Sequence, residues 1–255
     1  MIPAECPMNP AEFATLAQAE RGLWWFRGME RILFELLDPL DASRRISRVM
    51  EAGSGTGHMA EVLQQRYGWR MFPAELAWEG VSRTARGGGI WPVQGDIAAC
   101  PFREGAFDAV VSLDVLVHFP RGEEVRALKE FARIVKPGGL LVIRVSALDI
   151  LRSRHSIFTH ERQRFTRSRL IDAARASGFD IQRCTYANSL LMPVALARFR
   201  VWEPLMRRPP ASGTSLVPRW LDRLLYVPLA IESFLISKGL NLPAGQSLIL
   251  IGTRK

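Results

Sequence analysis

Short apolar runs alternate with amphipathic segments along most of the chain. The runs predict strands over 46–50, 69–74, 90–94 and 107–114, and later over 179–187 and 247–253. The residues of 58–66 and 166–177 predict helices. Strands that alternate with helices in this way are typical of an α/β domain built on a mostly parallel, doubly wound sheet.

Two further segments precede or interrupt this alternation. Residues 9–37 predict an N-terminal helix, and the apolar but proline-broken stretch 188–246 predicts two amphipathic helices, over 190–199 and 220–240. Charged residues within both helices make neither a convincing membrane span. We therefore expect four parts, which are an N-terminal helical lid (1–45), an α/β core (46–187), a mostly helical insertion or cap (188–246) and a last core strand (247–255).

We expect the insertion to cover the substrate side of the core, because its apolar residues need burial and a connection of this length usually carries function. A dimer contact or a helix lying in a membrane interface are the alternatives. Four arginines of the insertion should then face solvent or an anionic head group, namely Arg198, Arg200, Arg207 and Arg208.

The most informative turn follows the first predicted strand. There the chain reads Glu51-Ala52-Gly53-Ser54-Gly55-Thr56-Gly57, and a helical segment begins at His58. Glycines allow a tight turn and let a ligand approach the backbone closely, and the free N–H groups at the start of the helix can bind that ligand. Many nucleotide-binding folds use such a loop, so the motif alone does not identify the ligand.

Two acidic residues near the ends of the next two predicted strands narrow the choice. Glu75 follows the second strand and Asp96 follows the third. An acid at the end of the second strand suits ribose hydroxyls, and one after the third can accept a hydrogen bond from an adenine amino group. Together with the glycine loop, they predict a site for an adenosine-containing cofactor.

This combination resembles the class I S-adenosylmethionine-dependent methyltransferases. Their E-x-G-x-G-x-G loop is present, the fourth predicted strand begins with Phe107-Asp108, and the segment from Leu128 to Gly139 is similar to the family's L-x-E-x-x-R-x-L-K-P-G-G signature. The resemblance covers residues 48–183. It implies a Rossmann-like, seven-stranded sheet, mostly parallel with the last strand antiparallel, and S-adenosyl-L-methionine as the cofactor, with S-adenosyl-L-homocysteine as the product.

The resemblance also implies which residues contact the cofactor. In the family the glycine loop packs on the methionine part, the acid at Glu75 binds the ribose and the acid at Asp96 meets the adenine amino group. The full set expected at the cofactor is Glu51, Gly53, Ser54, Gly55, Thr56, Gly57, Glu75, Leu76, Asp96, Ile97 and Leu113. No metal is expected, because Val117 stands where metal-binding relatives carry glutamate.

Three histidines are candidates for proton transfer, because histidine titrates near neutral pH. His118 follows the fourth predicted strand. His155 and His160 follow a fifth strand, with which the alternation of strands and helices ends at about Ser146, so all three lie at the sheet edge where ligands bind in such folds. We rank His160 first and His155 second as catalytic residues, ahead of His118. A structural role is the alternative for each of them.

The segment containing His155 and His160 is similar to an H-D-x-x-x-x-H-x-R-R-Y-[ST] motif in a subgroup of bacterial methyltransferases. Ser156 and Phe165 replace the aspartate and the tyrosine of that motif, so shared His–Asp chemistry is not implied. At the substrate side we expect contacts from Trp25, Arg27, Arg164 and Tyr186.

Charge is unevenly distributed over the chain of 255 residues, whose formal net charge is +9. Eight arginines but only three acids lie between residues 144 and 175. Such a patch attracts nucleic acid, anionic lipid or a phosphorylated substrate, and an arginine-rich solvated face is the simpler alternative. Three scattered cysteines and the lack of a signal-like N-terminus predict a cytoplasmic protein, with peripheral contact at the inner membrane face left open.

Three functions compete. The first is a methyltransferase acting on a small-molecule or lipid-linked acceptor, hydrophobic because of the insertion and anionic if the arginines bind it. The second is an RNA methyltransferase, which the basic charge supports, although the fourth strand lacks the [DN]-P-P-[YFW] motif of many base-amino methylases; nucleic acid is therefore the less favoured partner. The third is a non-catalytic subunit that binds the cofactor. The sequence leaves the acceptor and the oligomeric state open.

Overall fold

The computed structural model describes residues 10–86, 90–206, 209–213 and 217–255. Within these ranges seven strands form one sheet in the order β3-β2-β1-β4-β5-β7-β6. The strands are β1 (Arg48–Ala52), β2 (Arg70–Glu75), β3 (Val93–Gln94), β4 (Phe107–Leu113), β5 (Val135–Ser146), β6 (Phe179–Ala187) and β7 (Ser247–Arg254). Strands β1 to β5 pair in parallel, and β7 runs antiparallel between β5 and β6. The predicted Rossmann-like sheet is thus confirmed.

Helices connect these strands. They are α1 (Pro10–Ala19), α2 (Trp24–Ser43), α3 (His58–Tyr67), α4 (Trp78–Arg86), α5 (Glu124–Ile134), α6 (Arg154–Phe158), α7 (Arg167–Ala176), α8 (Met192–Ala197), α9 (Glu203–Met206) and α10 (Arg219–Ser237). The single helix expected over 9–37 is instead two helices. They are separated by a turn around Gly22, in which the N–H groups of Gly22 and Leu23 both donate to the Ala19 carbonyl. A wider helical turn, Arg198–Trp202, joins α8 to α9.

Apolar side chains fill both faces of the sheet, as the near-continuous apolar strands require. One face packs under α5 and α7, with Phe107, Phe131 and Phe179 fully buried. The other face packs under α2, α3 and α10, where Leu33 and Leu229 are buried. A large cavity opens at the carboxyl ends of the parallel strands.

The insertion has two halves with different positions. Its second half, α10, packs along α2 so closely that a Cβ on Gly28 would clash with the Leu229 side chain. Asp222 of α10 accepts a 2.7 Å hydrogen bond from the Trp24 backbone N–H and so caps α2. Helix α10 is therefore part of the body of the domain and covers α2.

In the first half of the insertion, α8, the turn after it, Glu203 of α9 and residues 211–213 border the cavity described below. Arg198 is largely exposed there, and Arg200 is exposed but donates to the Ile150 and Asp149 carbonyls. Arg207 and Arg208 lie outside the described residues. Among the described residues, no helix is both long and apolar enough to cross a membrane.

Candidate active site

A cavity of about 1350 Å³ opens at the carboxyl ends of β1, β2, β4 and β5. The core supplies its floor, and α1, α2 and both halves of the insertion supply its walls. The Ser212 hydroxyl donates a 3.0 Å hydrogen bond to Glu12 of α1, which joins the two walls. Ten of the eleven residues expected at the cofactor line this cavity; the exception is Gly57.

The glycine loop has the backbone that its sequence requires. Gly53, Gly55 and Gly57 all have positive φ, at 76°, 57° and 84°. A Cβ on Gly53 would clash with Val115, and one on Gly57 would clash with Thr84. Nothing lies within 4 Å of a Cβ on Gly55, so this residue faces open space in the cavity. Gly53 and Gly57 are needed for packing, whereas Gly55 keeps room for a ligand.

The two acids that follow β2 and β3 both reach this cavity. Glu75 accepts 2.9 Å hydrogen bonds from the N–H groups of Gly55 and Ala77, which ties the end of β2 to the glycine loop. Burial raises the pKa of Glu75, against the effect of these donors. Asp96 accepts a 2.8 Å hydrogen bond from the Ala98 N–H, which fixes its carboxylate at the cavity wall.

More carboxylates gather at the same end of the cavity than the sequence led us to expect. Glu20 accepts a 2.5 Å hydrogen bond from the Thr56 hydroxyl, and Glu30 lies 2.9 Å from Nε2 of His58. Burial raises the pKa of Glu20, and it raises the pKa of Glu51 to about 8 with help from neighbouring acids. Burial opposes protonation of His58, but Glu30 and Glu20 outweigh it and raise the histidine's pKa. This end of the cavity therefore favours a cation.

Glu51 stands out within this acidic end. It is almost fully buried, and its Oε2 has no hydrogen-bond partner among the described residues. Burial of a carboxylate close to Glu75 and Glu20 is costly, and this raises the pKa of Glu51 although the Ala60 backbone N–H bonds to it. Because Glu51 is almost fully shielded from solvent and its Oε2 has no partner, it is suited to bind a cationic group that enters the cavity.

The middle of the cavity holds an ion pair that the sequence did not identify. Arg144 of β5 lies 2.7 Å from Asp114, which follows β4, and its guanidinium lies 5.1 Å from the ring centroid of Trp25. Asp114 has a positive φ of 61°, and its N–H is held by the Arg144 carbonyl at 2.8 Å. The sequence feature that could have indicated this ion pair is Arg144 itself, a charged residue within the apolar run of β5. Trp25 lines the cavity as expected of an acceptor contact.

All three candidate histidines line the cavity. His118 is half-buried, its Nδ1 has no partner among the described residues, and burial lowers its pKa. His155 accepts a 2.9 Å hydrogen bond at Nδ1 from the Gly213 N–H, and burial lowers its pKa to about 4. His160 is exposed and has a positive φ of 59°. These surroundings favour His118 over the other two as a proton acceptor.

The remaining three residues expected at the acceptor have structural partners. Arg164 lines the cavity but is buried, and it donates to Glu161, Ser156 and the Ala147 carbonyl. Arg27 forms an ion pair with Asp222 and lies outside the large cavity, because the α2–α10 contact holds it. Tyr186 is buried in the core and also lies outside, with its hydroxyl accepting from the Arg167 N–H at 3.3 Å. These positions argue against direct acceptor contacts for Arg27 and Tyr186.

The far end of the cavity differs from the acidic end. Its walls are mainly apolar, with lining residues Leu191, Val194, Ala195, Phe199, Val217, Leu221 and Leu225. Arg162, which follows α6, and Arg198 of the insertion also line the cavity. The Arg162 side chain makes no hydrogen bond or ion pair that the described residues reveal, and Arg198 has only a 3.9 Å contact with Glu203. No group of three or more potential metal ligands occurs among the described residues.

Comparison with known proteins supports the sequence interpretation. Residues 50–143 match the family model described as "Methyltransferase domain". A segment of 102 residues is 34% identical to a demethylmenaquinone methyltransferase of Thermus thermophilus and covers 38% of this chain and 46% of the relative. A segment of 50 residues is 48% identical to a probable tRNA methyltransferase 9B of Mus musculus, over 19% of this chain and 11% of the relative. The matched segments thus span less than half of these relatives.

A solved structure extends the likeness to almost the whole chain. It is the complex of the Trm112 methyltransferase activator with a methyltransferase from Haloferax volcanii, in which the matching chain has a TM-score of 0.59 at 17% identity, with 95% of this chain and 97% of that chain covered. At this identity the comparison establishes the fold. Residues 50–143 therefore carry a methyltransferase domain, and the chain has the fold of the class I S-adenosylmethionine-dependent methyltransferases.

Proposed function

We propose that this chain transfers a methyl group from S-adenosylmethionine to a hydrophobic small-molecule or lipid-linked acceptor that carries an anionic group. The observation that carries the proposal is the division of one cavity into an acid-rich end beside the glycine loop and an apolar, arginine-bearing end beneath the insertion. The first end suits a cationic nucleoside cofactor, and the second suits an acceptor that is apolar along most of its length.

The residues at the acidic end fit the cofactor group by group. Glu75 has the position for the ribose hydroxyls and Asp96 the position for the adenine amino group. The open space at Gly55 leaves room for the cofactor to contact the protein backbone there. Glu51, with its unpartnered Oε2, would bind the cationic amino-acid portion. The chemistry of these side chains and their place on the cavity wall support these roles.

The residues at the other end define the class of acceptor. Leu191, Phe199 and Leu225 offer apolar surface to a hydrocarbon portion. Arg162 and Arg198 are the cations there with the weakest ties to protein partners, so they are free to bind a phosphate or carboxylate. The Thermus thermophilus relative is named for a demethylmenaquinone substrate, and that supports an acceptor of the same apolar kind.

The chemistry asks little of the protein beyond alignment. S-adenosylmethionine supplies a methyl group that is already activated as part of a sulfonium, so the chain mainly has to hold the acceptor atom in line. Trp25 and the Arg144–Asp114 pair stand between the two ends of the cavity and can orient the acceptor. His118 lines the same cavity, and its lowered pKa keeps the ring neutral near pH 7, as a proton acceptor must be.

An RNA methyltransferase is the second candidate. It is supported by the match to the mouse tRNA methyltransferase and by a sequence pI of about 10.3. A non-catalytic cofactor-binding subunit is the third. Retention of RNA that weakens steeply with salt would favour the second, and cofactor binding without any methyl transfer would favour the third.

A transfer assay with radiolabelled S-adenosylmethionine tests the proposal. The purified chain is incubated with lipid extract, with apolar phenols and prenyl phosphates, and with total RNA, and label is followed into each pool. We expect label in an organic-extractable anionic product and a loss of about tenfold or more for Arg162→Ala combined with Arg198→Ala, since each removes a charge-assisted contact. Arg103→Ala, at an exposed arginine outside the cavity, serves as control. Label that enters only RNA would contradict the proposal.

A further inference from the structure

The insertion exposes an unusual amount of apolar surface. Twelve of the sixteen large apolar side chains that are exposed in the described part of the chain lie between residues 190 and 240. Along α10 they recur every three or four residues and form one stripe, made of Trp220, Leu224, Val227, Ile231 and Phe234. At 1.5 Å per residue, this helix of 19 residues is about 28 Å long. Apolar surface of this extent marks an interaction site in a folded protein.

The charges of α10 are sorted between its two sides. Its two carboxylates face inward, where Asp222 caps α2 and the buried Glu232 accepts 2.7 Å hydrogen bonds from the N–H groups of Ser189 and Leu190. The exposed charged residues of the helix are therefore all basic, namely Arg219, Arg223 and Lys238 at its ends and along the stripe. An apolar stripe flanked by basic residues is typical of a helix that lies in a membrane interface.

The first half of the insertion also carries exposed apolar side chains beside an inward-facing acid. Val201, Trp202 and Leu205 are exposed, while the nearby Glu203 is turned inward and accepts a 3.0 Å hydrogen bond from the Arg154 N–H. Val194 is 63% exposed and also lines the cavity, so apolar surface continues from the outside of the insertion into the cavity.

We propose that the exposed faces of α8–α9 and α10 dock on an anionic membrane surface, so that the cavity takes its acceptor directly from the bilayer. Basic side chains would meet the lipid head groups, and Trp202 and Trp220 would sit at the level of the interface. A second copy of the chain fits the α10 stripe less well, because pairing the two stripes would bring basic residues together without an exposed acid on the helix to neutralise them. The nature of the acceptor rests on the proposed function, whereas the docking itself does not.

Vesicle flotation with the purified full chain tests the docking. We expect the protein to float with phosphatidylglycerol–phosphatidylcholine vesicles and not with phosphatidylcholine alone, and to be released as salt rises from about 0.05 M to about 0.5 M. Trp220→Ser should lower the partition coefficient about three- to tenfold, because one large interfacial anchor is lost. Trp91→Ser removes an equally exposed tryptophan outside the insertion and should leave flotation unchanged.

Three outcomes would overturn the docking. The first is a wild-type protein that does not bind anionic vesicles, and the second is an equal effect of the two tryptophan variants on flotation. The third is a wild-type dimer in analytical ultracentrifugation that Trp220→Ser dissociates, because that result would assign the stripe to a second copy. Calorimetry with S-adenosylhomocysteine on the same samples checks the fold and the cofactor site. Normal cofactor binding without flotation refutes the docking alone, and flotation without cofactor binding refutes the proposed function alone.

Discussion

The backbone N–H of Gly213 donates a 2.9 Å hydrogen bond to Nδ1 of His155, which joins the insertion to α6. Because Nδ1 acts as the acceptor, a neutral His155 carries its proton on Nε2. The ring can thus donate a hydrogen bond to a ligand, but its basic nitrogen is already engaged. The sequence ranked this residue second as a catalytic base, and the contact favours a positioning role.

His155 should stay neutral well below the usual range for histidine. Its pKa is about 4 in the folded chain, whereas the ordinary value is 6.5. Above pH 6.5 neither state binds the proton, and as the pH falls toward 4 only the unfolded chain takes it up, so stability is lost over that window. We expect His155→Gln to remove about 1–2 kcal/mol of this loss, allowing for partial exposure. Urea unfolding of both proteins at pH 7 and pH 5 measures this fall in unfolding free energy. An equal fall in the wild type and in His155→Gln would contradict the assignment of the effect to His155.

Glu51 should release a proton when the cofactor binds. Its pKa is about 8 in the free protein, so most molecules carry the neutral acid at pH 7. A bound ammonium group favours the carboxylate and lowers this pKa, so affinity should rise as the pH increases from 6 to 8. Calorimetry with S-adenosylhomocysteine in phosphate and in Tris, whose ionisation enthalpies differ, counts the protons released.

Glu51→Gln is the matched variant for that measurement. It keeps the shape of the side chain but has no proton to release. The number of protons released on binding, which is obtained from the dependence of the binding enthalpy on the buffer, should therefore fall by a large part of one. The free variant should also lose less stability between pH 4.5 and 8, because the raised pKa of Glu51 makes wild-type folding less favourable as the pH rises through that window. Identical proton release by the two proteins would exclude Glu51 as the group that titrates.

Gly55→Ala should separate cofactor binding from folding. The new methyl group would project into the cavity, where no protein atom lies within 4 Å, so we expect affinity for S-adenosylhomocysteine to fall about tenfold through a steric clash of about 1–3 kcal/mol. Gly105→Ala is the control, because Gly105 also has a positive φ, 60°, and open space around it but lies outside the cavity. Both should lose similar stability in thermal unfolding. Equal affinities in the two variants would show that Gly55 does not face the cofactor.

The contact between α2 and α10 should behave as a tight fit. Gly28→Ala forces a Cβ against Leu229 and should cost about 1–3 kcal/mol of unfolding free energy. Leu229→Ala leaves a cavity and should cost about 2–5 kcal/mol. In the double variant the shortened side chain makes room for the new methyl group, so the combined loss should be smaller than the sum. Additive losses would show that the two residues do not share this contact.

The sequence predicted the fold and the cofactor end of the cavity because both depend on local patterns. Strand periodicity and the glycine turn are set within a few residues, and a parallel sheet brings Glu51, Glu75 and Asp96 to one edge whatever the details of packing. The boundaries were less accurate, as the third strand shows: the structure has only Val93–Gln94 where 90–94 was expected.

The acceptor end could not be predicted in the same way, because its residues are fixed by contacts between distant segments. Arg27 looked available until its ion pair with Asp222, 195 residues away, was seen. Arg164 likewise gave no sign that Glu161 and Ser156 would occupy its guanidinium. In the same way, α10 carries an amphipathic pattern that fits a cap, a dimer face or a membrane helix, and only the packing of Leu229 and Glu232 shows which side is buried.

Binding of S-adenosylhomocysteine to the wild-type chain and to Glu75→Ala, measured by calorimetry, tests the central claim most directly. We expect one site per chain in the wild type and a loss of about 1–3 kcal/mol in the variant, the scale of a lost hydrogen bond to a charged group. Glu123→Ala, at an exposed acid that lines the same cavity beyond β4, should bind like the wild type. A wild type that does not bind, or a Glu75→Ala chain that binds as tightly as the wild type, would contradict the assignment of this cavity to the cofactor.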